Sequence, residues 1–566
     1  MAYATSRANA VWPEGILPFV IQEGDFSPAE RNAVLGAIDR WNLTSIIRLV
    51  ARGTEPDFVT FRRAEDSCSS NVGRVGGEQF VGCAVGEGFD EGNVMHEIGH
   101  AVGFYHEHQR PDRDQFVRIV EDNIVPGRET AFTIIPGGIL LGPYDFESIM
   151  HYGRKGFSTG GDTIQPLQDV EIGQRVRLST EDLRGVCTLY HAPDFVVAWS
   201  DDQKDTGRAE ILWAPLVRWG KRCGIQQGFL EAAHVNRSWP SIGLDALGNS
   251  VVVWQEASSG LGPYRVRAHS LAADGGERFP EVTIADGSRS GLAVPQVAVD
   301  GAGGFVVVWQ EVTGSGQRVM ARAFDALAQP RIDAVPVATS ALGIPGGPVV
   351  DLSPDGGFVV AWGRLVEESL SVHARAFDAA GRARTPEITV DSRLGDQDVS
   401  PRLGVAGDGG FVVVYNDSLS EVKARGFHTD GTERFGARIV NSFREGWQHL
   451  PDVAVATDGS FVVVWGDDRN ENRMGQIRAR GFDADGNETV PDRTINPRGG
   501  GHQERPRIAR AGGGRLYVVW EDDEDRNGVF QVHAVGLDAV LGILFDAVTV
   551  NIVSVGQQVQ PAVAAR

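Results

Sequence analysis

The stretch His96-Glu97-Ile98-Gly99-His100-Ala101-Val102-Gly103-Phe104-Tyr105-His106 decides how the first third of the chain is read. On a helix, His96 and His100 stand four residues apart and share a face. Two imidazoles at that spacing reach one tetrahedral zinc ion at about 2.0–2.1 Å. Glu97, beside the first ligand, reaches a water at the metal without ligating. Gly103 tolerates the positive φ at which a helix stops and the chain turns sharply. The turn brings His106 round as a third ligand. Three protein ligands leave one position open, the arrangement of a catalytic rather than a structural site. One zinc per chain is therefore expected. The bland alternative is an ordinary helix with a few hydrogen-bonded histidines. The added glycine and third histidine argue against it. So does Ser148-Ile149-Met150-His151-Tyr152 downstream, because the long zinc signature is paired with a methionine-containing turn beneath the metal.

Around this stretch, helical and strand patterns mix. Trp12-Pro13 leads into a strand-like Ile16–Ile21. Ser27, Pro28 and Glu30 form the cap, first position and capping box of a helix. Val34, Leu35, Ile38 and Trp41 recur at helical spacing and predict its apolar stripe. Residues 46–50 and 58–62 read as strands, residues 113–153 mostly as loop, and 180–190 as a short last helix. The zinc helix should begin near Gly92.

The text HEIGHAVGFYHEHQRPDRD at 96–114, SIMHYG at 148–153 and WPEGILPF at 12–19 resembles the astacin family of zinc metallopeptidases, of the metzincin class. IGQRVRLS at 172–179 and the Leu189-Tyr190 ending are similar too. The resemblance covers about a third of the chain. It implies His96, His100 and His106 as zinc ligands and Glu97 as general base. It implies Tyr152 as a switchable ligand that swings off the metal to stabilise the oxyanion, and Met150 as the residue packed under the site. Glu107 matches the residue that meets the buried N-terminus in mature members. Arg175 matches a position that often carries a basic residue, implying selection of Asp or Glu just after the scissile bond. The family normally has two disulfides in this domain, and Cys68 and Cys83 fall where one belongs. For the other, Ile46 or Ile47 stands near one expected cysteine position. Cys187 is either buried and free or bridged to Cys223.

Beyond residues 191–193 one pattern recurs. Runs of the GGFVVVW type end on Trp199, Trp254, Trp309, Trp362, Tyr415, Trp465 and Trp520, spaced 50–55 residues apart. A proline leads a short apolar strand some ten to fourteen residues before each of the last six: Pro240, Pro295, Pro348, Pro401, Pro451 and Pro506. Polar loops, ARAFD-type strands and a fourth strand complete each repeat. Four short strands at this period favour propeller blades, and the repeats resemble bacterial propeller-like repeats. The aromatics read as core. Asp483 and Asp485 read as a tight Asp/Gly turn rather than a calcium site. The first copy, at Phe195–Trp199, lacks a proline-led strand, whereas Pro561–Ala564 is one with nothing after it. The expected fold is multidomain. An α+β metzincin-type catalytic domain spans residues 1–191. An all-β seven-bladed propeller spans 192–566, with blade one completed by the C-terminal strand.

The 566 residues carry 53 Lys and Arg against 75 Asp and Glu, a net charge of −22. Such a surface repels phosphate backbones, so nucleic acid is a poor partner. No run approaches the roughly 18–20 apolar residues of a membrane span. Four cysteines in this length make no disulfide scaffold. Residues 1–12 lack the apolar core of a secretory signal. The motifs nevertheless point to a secreted protein whose signal and pro-segment are not present in this chain. The expected function is a monomeric zinc endopeptidase acting on proteins or peptides, whose propeller takes substrate, a surface or a glycan. The alternative is an adhesion or carbohydrate-binding propeller with a silent metal domain.

Overall fold

A computed structural model describes residues 3–566 apart from 66, 85–88, 191–193, 203–208, 218–219, 222–226, 229–234, 258–263, 274–275, 288–290, 314–315, 339–343, 346, 367–368, 393, 395–400, 418–420, 470–474, 497–500 and 552–556. The chain divides into two compact units: Met1–Ala192 with Lys221–Ile225, and Pro193–Gly220 with Gln226–Arg566.

The first unit is built on a five-stranded sheet. Its strands are β1 (Ile16–Ile21), β2 (Arg48–Ala51), β3 (Phe58–Ala64), β4 (Ser69–Ser70) and β5 (Glu78–Ala84), in spatial order β2-β1-β3-β5-β4. All neighbours are parallel except β4, which runs antiparallel to β5. Helix α1 (Pro28–Thr44) starts on the expected box: Ser27 Oγ accepts from Glu30 N–H, and Glu30 Oε2 accepts from Ser27 N–H at 2.8 Å. Its buried stripe is Val34, Ala37, Ile38 and Trp41. Leu35, expected in that stripe, is 37% exposed. At about 100° per residue it stands one step round from Val34, outside the face that Val34, Ile38 and Trp41 define. Trp41 fixes α1 against α2 (Glu91–Val102) by donating its indole N–H to Met95 O at 3.0 Å. A third helix, α3 (Thr180–Leu189), opens on a capping box of Ser179 and Asp182.

The cysteine bridge is corrected. Cys68 and Cys83 are both free thiols. The pairing of Ser69 with Gly82 sets them side by side on adjacent strands. The Cys68 sulfur accepts the Ala84 N–H at 3.3 Å instead of bonding to sulfur. Burial pushes the pKa of both thiols up. Cys187 is buried and disulfide-bonded; Cys223 lies outside the described residues.

The second unit is a seven-bladed all-β propeller. Each blade is an antiparallel sheet of four strands, with the inner strand of blade IV split into Ile344–Pro345 and Val349–Leu352. In blade I, Phe195–Asp202 pairs on one side with Glu210–Leu216 and on the other with Gln557–Ala565. The marker aromatics are all buried. Trp465 and Trp520 donate their indole N–H to Gln448 Oε1 and Asp522 Oδ2, both at 2.9 Å. The ARxF text acquires a physical meaning between blades. Arg322, Arg375, Arg425 and Arg480 lie over Phe324, Phe377, Phe427 and Phe482 at 5.2–5.6 Å. Each donates Nη1 to a carbonyl of the preceding blade: Ile284, Val337, Val390 and Val440 respectively. Asp483 Oδ1 accepts from Asp485 and Asn487 N–H at 3.0 and 2.8 Å, a turn that uses the carboxylate internally.

Five of the inner strands share one irregularity. Trp239, Val294, Leu450, Arg505 and Gln560, each followed by proline, adopt φ of 49–58°. Ladder register shifts at each of them. These are bulges that turn the strand at the mouth of the central channel. Below them, small residues line the channel because neighbouring strands approach closely. A Cβ on Gly243 or Gly404 would meet Val299 or Val455 of the next blade at 2.4 and 2.6 Å.

Candidate metal centre

Helix α2 is set by its two ends. Asp90 caps it, accepting Asn93 N–H at 2.7 Å. Gly103 ends it at φ 128°, its N–H returning to Gly99 and His100 carbonyls. A side chain there would be strained and would press on Leu189. The reversal carries His106 back to the helix. The Nε2 atoms of His96 and His100 each lie 3.1 Å from His106 Nε2.

The second nitrogen of each ring fixes its tautomer. His96 Nδ1 is 2.8 Å from Ile149 O, His100 Nδ1 is 2.7 Å from Phe104 O, and His106 Nδ1 is 2.9 Å from Gln109 Oε1. Carbonyl oxygens only accept, so Nδ1 carries the proton and Nε2 is bare. Gln109 is oriented by donating Nε2 to Ala131 O at 3.2 Å. Burial lowers all three imidazoles, His100 to about 4 and the other two well below the usual range, so they are neutral. Three lone pairs thus converge with no proton between them. Ligands 2.0–2.1 Å from a tetrahedral zinc stand about 3.3 Å apart. The donor set fits that ion, and these three residues are the one such group among the described residues.

Glu97 lies beside them, buried, with Oε2 lacking any hydrogen-bond partner. Burial raises it to about 8 against the pull of Arg175. Beneath the histidines, Met150 is fully buried, and its sulfur would lie 2.5 Å from a Cβ on Gly99. Gly99 is therefore required by the methionine. Tyr152 packs against His106 and His108, with ring centroids at 4.4 and 4.3 Å, and faces the same cleft. Burial raises its phenol to about 12. Arg175 also lines the cleft, its Nη1 donating to Ile149 O at 2.9 Å and His151 O at 3.0 Å. Its own carbonyl would lie 1.8 Å from a Cβ on Gly92, so that glycine admits the arginine segment. Glu107 is fully buried. Its Oε1 accepts from Asp145 N–H and Arg110, while Oε2 has no partner.

Residues 4–191 match the family model described as Astacin, a peptidase family. Residues 4–191 are an astacin domain. The chain is 43% identical over 200 residues to human Tolloid-like protein 2, covering 33% of this chain and 20% of that protein. It is 42% identical over 195 residues to zinc metalloproteinase nas-14 of Caenorhabditis elegans, covering 33% and 38%. High choriolytic enzyme 1, a hatching-enzyme zinc protease of medaka, matches at 36% identity and TM-score 0.32, over 34% of this chain and all of that one. The chain thus spans about a fifth of its Tolloid-like relative.

Two residues of the astacin domain escaped the sequence reading. Gln109 orients His106; its position three residues on was the available signal. Asp182 clamps the methionine turn, accepting Ser148 Oγ at 2.6 Å and Ile149 N–H at 2.9 Å while it closes the α3 capping box. The S-x-x-D text at 179–182 is a signal for the box but not for the second task. No helix among the described residues is long and apolar enough to cross a membrane.

Proposed function

We propose that the chain is a zinc-dependent endopeptidase that hydrolyses proteins or peptides outside the cell. The observation that carries this reading is the convergence of three bare Nε2 atoms beside an unpartnered Glu97 oxygen. His96, His100 and His106 would hold the ion. Bound zinc supplies Lewis-acid polarisation of a carbonyl and lowers the pKa of water. Glu97 takes a proton at Oε2 and returns it to the leaving amine. Tyr152, whose phenol has no hydrogen-bond partner among the described residues, donates to the developing oxyanion. Met150 does no chemistry; it fills the space that Gly99 leaves under the ligands. Glu107 Oε2 is the acceptor for the α-ammonium of a processed N-terminus.

Arg175 selects the substrate. Among the described residues only Nη1 is used, by carbonyls, which leaves Nε and Nη2 for an Asp or Glu just after the scissile bond. The propeller takes substrate, a surface or a glycan.

Chelator-sensitive cleavage of casein, with one zinc per chain by metal analysis, tests the peptidase. Purified protein that takes up no zinc when refilled ends this reading. Cleavage-site profiling tests Arg175: acidic enrichment should disappear in Arg175→Ala. A profile that is unchanged removes the arginine from the pocket.

A further inference from the structure

The propeller channel has a volume of about 570 Å³, within the roughly 300–1,000 Å³ of small-molecule sites. Its lining includes Arg402, Arg505, Arg507 and Arg510 against Asp351 and Asp452. Four arginines to two aspartates is the opposite balance to a chain of net charge −22.

The two carboxylates are already occupied. Asp351 accepts Leu352 and Val405 N–H, both at 2.8 Å. Asp452 accepts Val453 and Ile508 N–H, both at 3.0 Å, and its oxygen lies 3.9 Å from Arg402 Nε. Each aspartate ties its blade to the next inner strand. At the mouth, Arg505 is matched by Glu521 at 3.1 Å. Arg507 differs. Among the described residues it makes a single hydrogen bond, from Nη1 to Pro506 O at 2.8 Å, and no ion pair. Arg402, whose Nε lies 3.9 Å from Asp452, donates Nη1 to Pro401 O at 3.1 Å two blades away, across Asp452. Burial, and then the Arg402 charge, lower Arg507 to about 9 against the pull of Asp452 and Glu521. A carboxylate between them would relieve that repulsion and take paired N–H donors.

The mouth adds a second chemistry. Trp239 lines the channel entrance and is 42% exposed on a backbone held at φ 56°. An exposed indole is a stacking face for the apolar side of a sugar ring.

We propose that the propeller channel binds an acidic saccharide, with a uronate carboxylate on Arg507 and Arg402 and the sugar body on Trp239. This rests on reading the propeller as a binding module and is independent of the peptidase chemistry.

The test is calorimetric titration of the full chain with digalacturonic acid, using lactose as neutral counterpart. Digalacturonate should bind and lactose should not. Arg507→Gln and Arg402→Gln should each weaken binding at least tenfold, and Trp239→Ala several-fold, with casein cleavage unchanged. Digalacturonate should also shield Arg507 of the unmodified protein from phenylglyoxal, read by mass spectrometry, which covers the case in which the variants fail to fold. Equal binding of lactose, undiminished binding by Arg507→Gln, or no shielding of Arg507 would overturn the proposal. An acidic peptide that binds where digalacturonate does not would overturn the saccharide assignment. Neutral glycans captured on an array, with no uptake of digalacturonate, would overturn the channel site while leaving the propeller a binding module.

Discussion

The two units use their residues in opposite ways. In the astacin domain the site residues have no duplicates: Gly103 turns the chain, Gln109 orients one ring, and Asp182 clamps one turn while closing one capping box. In the propeller a few contacts are repeated, as with the four arginines that each reach a carbonyl of the preceding blade. A site assembled from single-use parts fails at any one of them. A scaffold of repeats loses a fraction of its stability per part, except where the ring closes.

That exception offers the largest effect. Removing residues 557–566 deletes the strand paired with Phe195–Asp202 and opens the ring. The propeller should lose its cooperative melting transition and expose an unpaired edge that aggregates; calorimetry and light scattering check both. If the shortened chain melts as before, closure is not what holds the ring. Next comes Glu97→Ala. It should keep one zinc and lose about 10²–10⁴-fold in casein cleavage, with the propeller transition unchanged. Asp182→Ala is the test of a single-use part that does no chemistry. It leaves the Ser148 hydroxyl and the Ile149 and Ser179 amides without their carboxylate. At about 1–3 kcal/mol for each buried unsatisfied group, the astacin domain should lose at least about 3 kcal/mol, and zinc affinity with it. Denaturant titration of the two transitions separates this from any effect on the propeller. The smallest effect is expected for Arg425→Met, which removes one of the repeated interblade bonds. It should cost about 1 kcal/mol, and adding Arg322→Met two blades away should double the loss within a few tenths. A loss as large as that of Asp182→Ala would show that the repeats are not interchangeable.

Legibility in the sequence follows the same division. The clustering of His96, His100 and His106, the Ser27 box and the blade period are local or periodic signals, and they carry to the structure. Leu35 misled because, although three residues from Ile38, it lies about 100° round from Val34 and about 120° from Trp41, at the edge of the stripe. The free thiols of Cys68 and Cys83 misled because spacing can bring two sulfurs together without setting their oxidation. Gln109 and Asp182 act through single hydrogen bonds that no periodicity marks. Arg402 and Arg507 stand two repeats apart and face one lumen only because the sheets form a ring, so a reading that aligns repeats one under another treats both as noise.

The strand pairing that completes blade I also imposes a schedule on synthesis. The bond from Gln558 Nε2 to Asp201 Oδ1 spans 357 residues. At about 5–20 residues per second, the ribosome releases Phe195–Asp202 tens of seconds before its partner strand exists. Throughout that interval the nascent first blade carries a bare edge, while the astacin domain, already complete, is free to fold ahead of it.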